Sequence, residues 1–354
     1  MTLYLFNPSH DEALAAGSPY YYPSTIARRL EVEWGALPAL WATSADAVWL
    51  PDALPLPEGL APGQVDWQHG VRFVHRRQLT TAFWQQVDRI EPWGWDPLVR
   101  HKLRKAGAPE HLLPGDAQLQ QIATLSSRET TARLLPQLRH QLRAKGVHTV
   151  GESVIARSAE SVDQYLQQWQ GAMAKALWSC SGRGVFRVAN PPTASEHGRL
   201  QRLLREQGGL ELEPYYSGML DFALEFEVQP AGKVLYCGLS VFGTNASGAY
   251  RGNRVAPQSV LEAEGCSALG SRHAYEEAVQ ACLSLLPSLL GNGYVGPLGI
   301  DMMVVATPYG PALLPCVELN LRRTMGHVSL NVVKLTLKAA ELPMWLRNLC
   351  YFCD

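Results

Sequence analysis

Two carboxylates and a carboxamide in the last quarter of the chain have the types and spacing of a hard-cation site. Gly299-Ile300-Asp301-Met302-Met303-Val304-Val305 and Leu313-Leu314-Pro315-Cys316-Val317-Glu318-Leu319-Asn320 are apolar strands, separated by Ala306-Thr307-Pro308-Tyr309-Gly310-Pro311-Ala312, a turn. Folding about Tyr309 and Gly310 brings Asp301 opposite Glu318, to within about one residue. The period of two along a strand sends Glu318 and Asn320 to the same face. Like charges facing each other across strands are destabilising unless a cation lies between them. Three hard oxygen ligands suit Mg²⁺, with Mn²⁺ as an alternative, since such ions take carboxylates, keep waters and share themselves with substrate phosphates. The competing arrangement has Asp301 and Glu318 diverging, each hydrogen-bonded to Arg322 or Arg323.

A second segment, Ala174-Lys175-Ala176-Leu177-Trp178-Ser179-Cys180-Ser181-Gly182-Arg183-Gly184-Val185, sets a lysine in an apolar strand before a loop of small residues. Only seven of the 31 Lys and Arg side chains are lysines, so a compact point charge here asks for a specific reason. Backbone N–H groups of such a loop can cradle phosphate oxygens. It is not a Walker A loop, which needs Gly-Lys-Ser/Thr opening a helix; the plain alternative is a structural hairpin with a snorkelling lysine. Gly291-Asn292-Gly293-Tyr294-Val295-Gly296 matches GxGxxG, but it follows a helix and precedes a strand, the reverse of the dinucleotide fingerprint.

The elements that must position these residues form three parts. Residues 1–120 alternate short apolar runs (3–6, 47–50, 71–74) with helix-like stretches (24–33, 80–90), the pattern of an α/β unit with parallel strands. Residues 121–208 read as a capped helix from Ser126, a strand at 152–156, a helix at 161–170, and two strands joined by the glycine loop. Residues 209–354 are mostly strands, with a helix over 273–290 before the final hairpin.

Taken together, these pieces resemble the ATP-grasp superfamily of ATP-dependent carboxylate ligases over roughly residues 120–335. The resemblance implies an α/β and α+β chain, an ATP-grasp fold preceded by a Rossmann-like α/β domain. It implies that Lys175 and the loop Ser181, Gly182, Arg183 and Gly184 cover the triphosphate. Arg128 in Ser126-Ser127-Arg128-Glu129-Thr130 resembles the family's basic residue at a helix start, where a lysine is more frequent. Glu213 in Leu212-Glu213-Pro214-Tyr215-Tyr216 resembles the hinge glutamate that binds the adenine amino group. Pro214 has no N–H, so Tyr215 and Tyr216 would supply the backbone contacts. Asp301, Glu318, Asn320 and Arg322 resemble the acidic residue, Glu-x-Asn and following arginine that bind metal and phosphate.

What this implies is an ATP- and Mg²⁺-dependent enzyme that turns a small-molecule or peptide carboxylate into an acylphosphate for capture by an amine or thiol. Phosphoryl transfer of this kind is mostly positioning and charge neutralisation. Arg322, Lys175 and Arg251 are then the candidate catalytic residues, Arg251 lying in the polar run Asn245–Asn253. A non-catalytic nucleotide sensor and a small-molecule kinase on the same fold are the two competing functions.

Composition excludes other classes. The 354 residues are 47% hydrophobic and carry a net charge of −1, which gives no electrostatic reason to expect a nucleic-acid or membrane partner. Apolar stretches break well before the length of a membrane span. The first residues lack a basic, apolar leader, so the expected location is cytoplasmic. Seven cysteines do not read as a disulfide framework, and Cys350 and Cys353, the one close pair, have no second ligand pair. His10 and Asp11 follow the first strand, where open α/β sheets bind ligands; a turn with a helix cap is the alternative. His327 is read as a satisfied histidine or a substrate contact. A homodimer through the first domain is a family-level expectation only.

Overall fold

The structure, a computed structural model, describes residues 1–52, 71–179, 184–245 and 250–334. Among these, Met1–Ala123 with the residues from His327 onward form one compact unit, and Thr124–Gly326 form another.

The first unit is built on strands β1 (Thr2–Leu5), β2 (Ala47–Trp49), β3 (Arg72–Val74) and β4 (Arg89–Pro92). They pair in parallel in the order β3-β2-β1-β4, as the alternation of apolar runs and helices predicts. Leu3, Leu5, Ala47, Val74 and Ile90 are buried in its core with Phe83, Trp84, Val99 and Leu103. The helix Pro97–Lys105 starts where Asp96 accepts the Val99 N–H and Pro97 takes the first helical position. The helix expected over 80–90 is one turn, Thr81–Trp84, and Arg89–Pro92 is a strand instead. Pairing with β1, from Thr2 opposite Arg89 to Leu5 opposite Pro92, overrides the local helical pattern.

The second unit holds two sheets. In the smaller, β5 (Val154–Ala156), β6 (Ala172–Ala176), β7 (Val185–Val188) and β8 (Leu210–Glu213) run antiparallel in the order β5-β8-β6-β7. The strand Leu210–Glu213, grouped by sequence with the strands after it, therefore belongs to this sheet: its long-range pairing with β6 decides its place, not its neighbours in the chain. One face buries Ala172, Ala174, Ala176, Phe186, Val188, Leu210 and Leu212 against Val162 and Leu166 of the helix Ala159–Trp169 and Leu200 and Leu203 of the helix Ala194–Gln207. The period of two sends Met173, Lys175, Val185, Arg187, Glu211 and Glu213 to the opposite face. Gly184 closes β6 to β7 at φ +83°, where any Cβ would meet Ala176 at 2.9 Å.

The larger sheet comprises β9 (Gly218–Val228), β10 (Val234–Thr244), β11 (Tyr250–Asn253), β12 (Gly296–Thr307) and β13 (Gly310–Asn320), antiparallel in the order β11-β10-β9-β12-β13. Phe222, Leu224, Phe226, Ile300, Met302 and Val304 are fully buried on one face. The helix Arg128–Ala144, capped by the Ser127 hydroxyl, packs on β13. Pairing steps from Asp301 opposite Glu318 to Met303 opposite Leu314, so Pro315, Cys316 and Val317 face Met302 alone. This bulge is where a strand tolerates Pro315, and it frees the Val317 carbonyl. Among the described residues no helix is long and apolar enough to cross a membrane.

Candidate active site

Register alone brings the site together on the larger sheet. Ser240 pairs with Ala223, Ala223 with Asp301, and Asp301 with Glu318, one row across β10, β9, β12 and β13. In the next row Gly238 pairs with Glu225, Glu225 with Gly299, and Gly299 with Asn320. Directly paired residues share a face, so four oxygen-bearing acidic or amide side chains stand over a floor of Ala223, Gly238 and Gly299.

Asp301 accepts the Asn320 side-chain N–H at 3.3 Å. Burial pushes its carboxyl up to about 8, with the charges of Glu318 and Glu225 adding to the rise and Arg322 opposing it. Two facing carboxylates with that perturbation and a carboxamide beside them match a hard divalent cation. Among the described residues no group of three or more His, Cys, Asp and Glu side chains converges on one point. A donor set of two carboxylates and an amide leaves places for water and phosphate oxygens, which fits Mg²⁺ better than a fully protein-bound ion.

A second cluster joins the small sheet to this edge. Lys175, only 4% exposed, pairs with Glu213 at 2.6 Å and reaches Glu211 at 3.9 Å. Its ammonium also donates to the Val317 carbonyl at 3.4 Å. Arg128, the first residue of its helix, donates to Glu318 at 2.8 Å, Glu211 at 3.4 Å, Ser179 at 3.3 Å and the Val317 carbonyl at 3.5 Å. These carboxylates raise its pKa against the opposing effect of burial. Glu211 is fully buried and also accepts the Ser153 hydroxyl at 2.6 Å. Burial raises the Glu213 carboxyl above the usual range, Lys175 pulling it back, and Glu213 Oε1 has no hydrogen-bond partner among the described residues. Two cations thus serve three carboxylates, each carboxylate touching at least one of them, as buried charges require.

Glu225, fully buried, accepts the Ser240 hydroxyl at 2.9 Å and the Thr324 hydroxyl at 2.8 Å. It fits because its neighbours lack side chains: a Cβ on Gly299 would lie 2.7 Å from its Oε2, and one on Gly326 would overlap its Oε1. Glu225 therefore fastens the segment that carries Arg322 to the sheet.

The structure brings together Asp301, Glu318, Asn320, Arg128, Lys175 and Glu213. Asp301 and Glu318 are register partners, and Arg128 engages Glu318. Arg322 acts on Asp301 by its charge. Arg251 lies exposed on the edge strand β11 at a register shift. Tyr215 is 54% exposed, and burial raises the Tyr216 hydroxyl. Ser181, Gly182, Arg183, Cys350 and Cys353 lie outside the described residues, whereas Gly184 closes the β6–β7 connection. In the first unit His10 is buried, its Nδ1 3.4 Å from Asp96, while Asn7 donates to Asp96 at 2.9 Å and to the Gly94 carbonyl at 2.8 Å. His327 is also buried. Asp11 is partly buried.

Sequence reasoning missed Glu211, Ser153 and Glu225. Glu211 left a signal, the alternation Leu210-Glu211-Leu212-Glu213, which places both glutamates on one face of an otherwise apolar strand.

No protein-family profile and no curated protein matches the sequence. Solved structures do. Biotin carboxylase from Campylobacter jejuni, solved with a βγ-ATP compound, superposes with a TM-score of 0.52 at 14% identity, over 94% of this chain and 67% of that one. D-cycloserine synthetase superposes over 98% of this chain and all of that one, with a TM-score of 0.48 and 14% identity. An L-amino acid ligase from Bacillus licheniformis gives a TM-score of 0.43 at 16% identity, over 100% and 75% of the two chains. The fold is ATP-grasp.

Proposed function

We propose that this ATP-grasp chain binds ATP with Mg²⁺ and activates a substrate carboxylate as an acylphosphate, which an amine or thiol captures. The observation that supports this most is the direct pairing of Asp301 with Glu318, beside Asn320 and within reach of Arg128. Hydrogen bonds alone do not require three oxygen donors on one sheet face.

Mg²⁺ held by Asp301, Glu318 and Asn320 would neutralise charge on the β- and γ-phosphate oxygens. Lys175 and Arg128 supply fixed positive charge in a buried setting, where it costs no reorganisation during reaction. Each holds several acceptors at once, so each can add a phosphate oxygen to its partners and keep its buried carboxylate. Glu213 Oε1, buried and without a donor among the described residues, suits an exocyclic amino group. A substrate carboxylate oxygen then attacks the γ-phosphorus as the bond to ADP breaks. Arg322 would clamp the carboxylate or the acylphosphate through its two-pronged guanidinium. Capture by the nucleophile releases phosphate.

The test is turnover. ADP release driven by a carboxylate and an amine is expected to vanish in Glu318→Gln and Asn320→Ala while far-UV circular dichroism shows both still folded. Unchanged turnover in both variants would refute the assignment.

A further inference from the structure

The face of the small sheet opposite its helices has a second half that phosphate binding does not use. Arg187 pairs with Met173, and Met173 with Glu213, so these three side chains cross that face in one row. The adjacent row is Val185, Lys175 and Glu211. Tyr215, two residues beyond Glu213, extends to the same side, and the Arg187 guanidinium lies 4.4 Å from the centre of its ring. Exposure rises along the face, from 0% at Glu211 through 4% at Lys175 and 5% at Glu213 to 54% at Tyr215. A molecule whose phosphates meet Lys175 must therefore extend its other end outward, past Glu213 and Met173, to Arg187 and Tyr215.

We infer that Arg187, seated over the Tyr215 ring, is a further binding residue for the nucleobase: its guanidinium stacks on the base beside the Glu213 contact proposed above. This rests on the ATP reading above and extends it to the base end. Two independent observations meet here. One is the Arg187 guanidinium over the Tyr215 ring; the other is Glu213 Oε1 in the same row, buried and without a hydrogen-bond partner among the described residues. An arginine suits this position where a lysine would not, because its planar, weakly hydrated head stacks on a π-face on either side. Pairing with the tyrosine removes the rotamer freedom that stacking would otherwise have to freeze.

Calorimetric titration with Mg²⁺-ATP and with inorganic tripolyphosphate, on wild type, Arg187→Ala and Arg187→Lys, separates the possibilities. Loss of a stacked base contact weakens binding roughly 5- to 150-fold. ATP affinity is expected to fall by that much in both variants, while tripolyphosphate affinity changes by less than about twofold. Unchanged ATP affinity, restoration by lysine, or a parallel loss for tripolyphosphate would overturn the inference, the last two by making Arg187 a simple charge. Failure of wild type to bind either ligand would instead overturn the ATP reading itself, and this inference with it.

Discussion

The Arg128 guanidinium donates to Glu318 at 2.8 Å while Glu318 faces Asp301 across the β12–β13 pair. A cation assigned to the phosphates and a carboxylate assigned to the metal are therefore already bonded to each other, and Arg128 spans to the fully buried Glu211 as well.

Removing Arg128 leaves Glu211 with the Ser153 hydroxyl and a Lys175 that is engaged mainly by Glu213. Breaking a buried ion pair from one side costs about 3–5 kcal/mol. Arg128→Ala is expected to lose stability of that order in urea unfolding, and Arg128→Lys, which keeps the charge, markedly less. Equal losses in the two would show that shape, not charge, is what Arg128 supplies.

Asp301 makes stability depend on pH. Its pKa stands at about 8 in the fold, against 3.8 for an unperturbed aspartate, so the folded state holds the proton more tightly. Stability is full below about pH 4 and is lost as pH rises toward 8. Asp301→Asn should flatten this part of the metal-free stability profile. Mg²⁺ should do the same in wild type, by favouring the ionised form. A wild-type profile with no decline between pH 4 and 8 would contradict the assignment.

Two glycines carry opposite expectations. Gly326→Ala must displace Glu225 and Ser240, whose atoms a Cβ would overlap, and overpacking of this kind costs about 1–3 kcal/mol. Gly198, inside the helix Ala194–Gln207, has open space around its Cβ position, so Gly198→Ala should gain about 0.5–1 kcal/mol. Denaturant midpoints of the two variants check both signs at once; a neutral Gly326→Ala would mean that Glu225 does not clamp that segment.

Much of this was legible in sequence because local rules decide it. The hairpin and its turn were legible, but pairing runs from Thr307 opposite Gly310 to Met303 opposite Leu314, and only the bulge at Pro315, Cys316 and Val317 brings Glu318 rather than Cys316 opposite Asp301. The parallel first sheet was legible from its alternating runs. What escaped depends on contacts distant in the chain. Arg128 meets Glu211 from 83 residues away, and no spacing announces that. The strand Arg89–Pro92 is defined by β1, at the other end of its unit. Glu225 reads as an ordinary strand residue until Gly299 and Gly326 are seen to make room for it.

The most direct test is the melting temperature of wild type, Lys175→Ala and Glu318→Gln, each with Mg²⁺-ATP, with Mg²⁺-GTP, and with ATP plus EDTA. Ligand at 100 times Kd adds about 2.7 kcal/mol, which moves the midpoint by a few degrees. The account predicts an increment in wild type that requires Mg²⁺, exceeds that from GTP, and is lost in both variants whatever their starting stability. An increment that survives EDTA and both substitutions, or none in wild type, would contradict it.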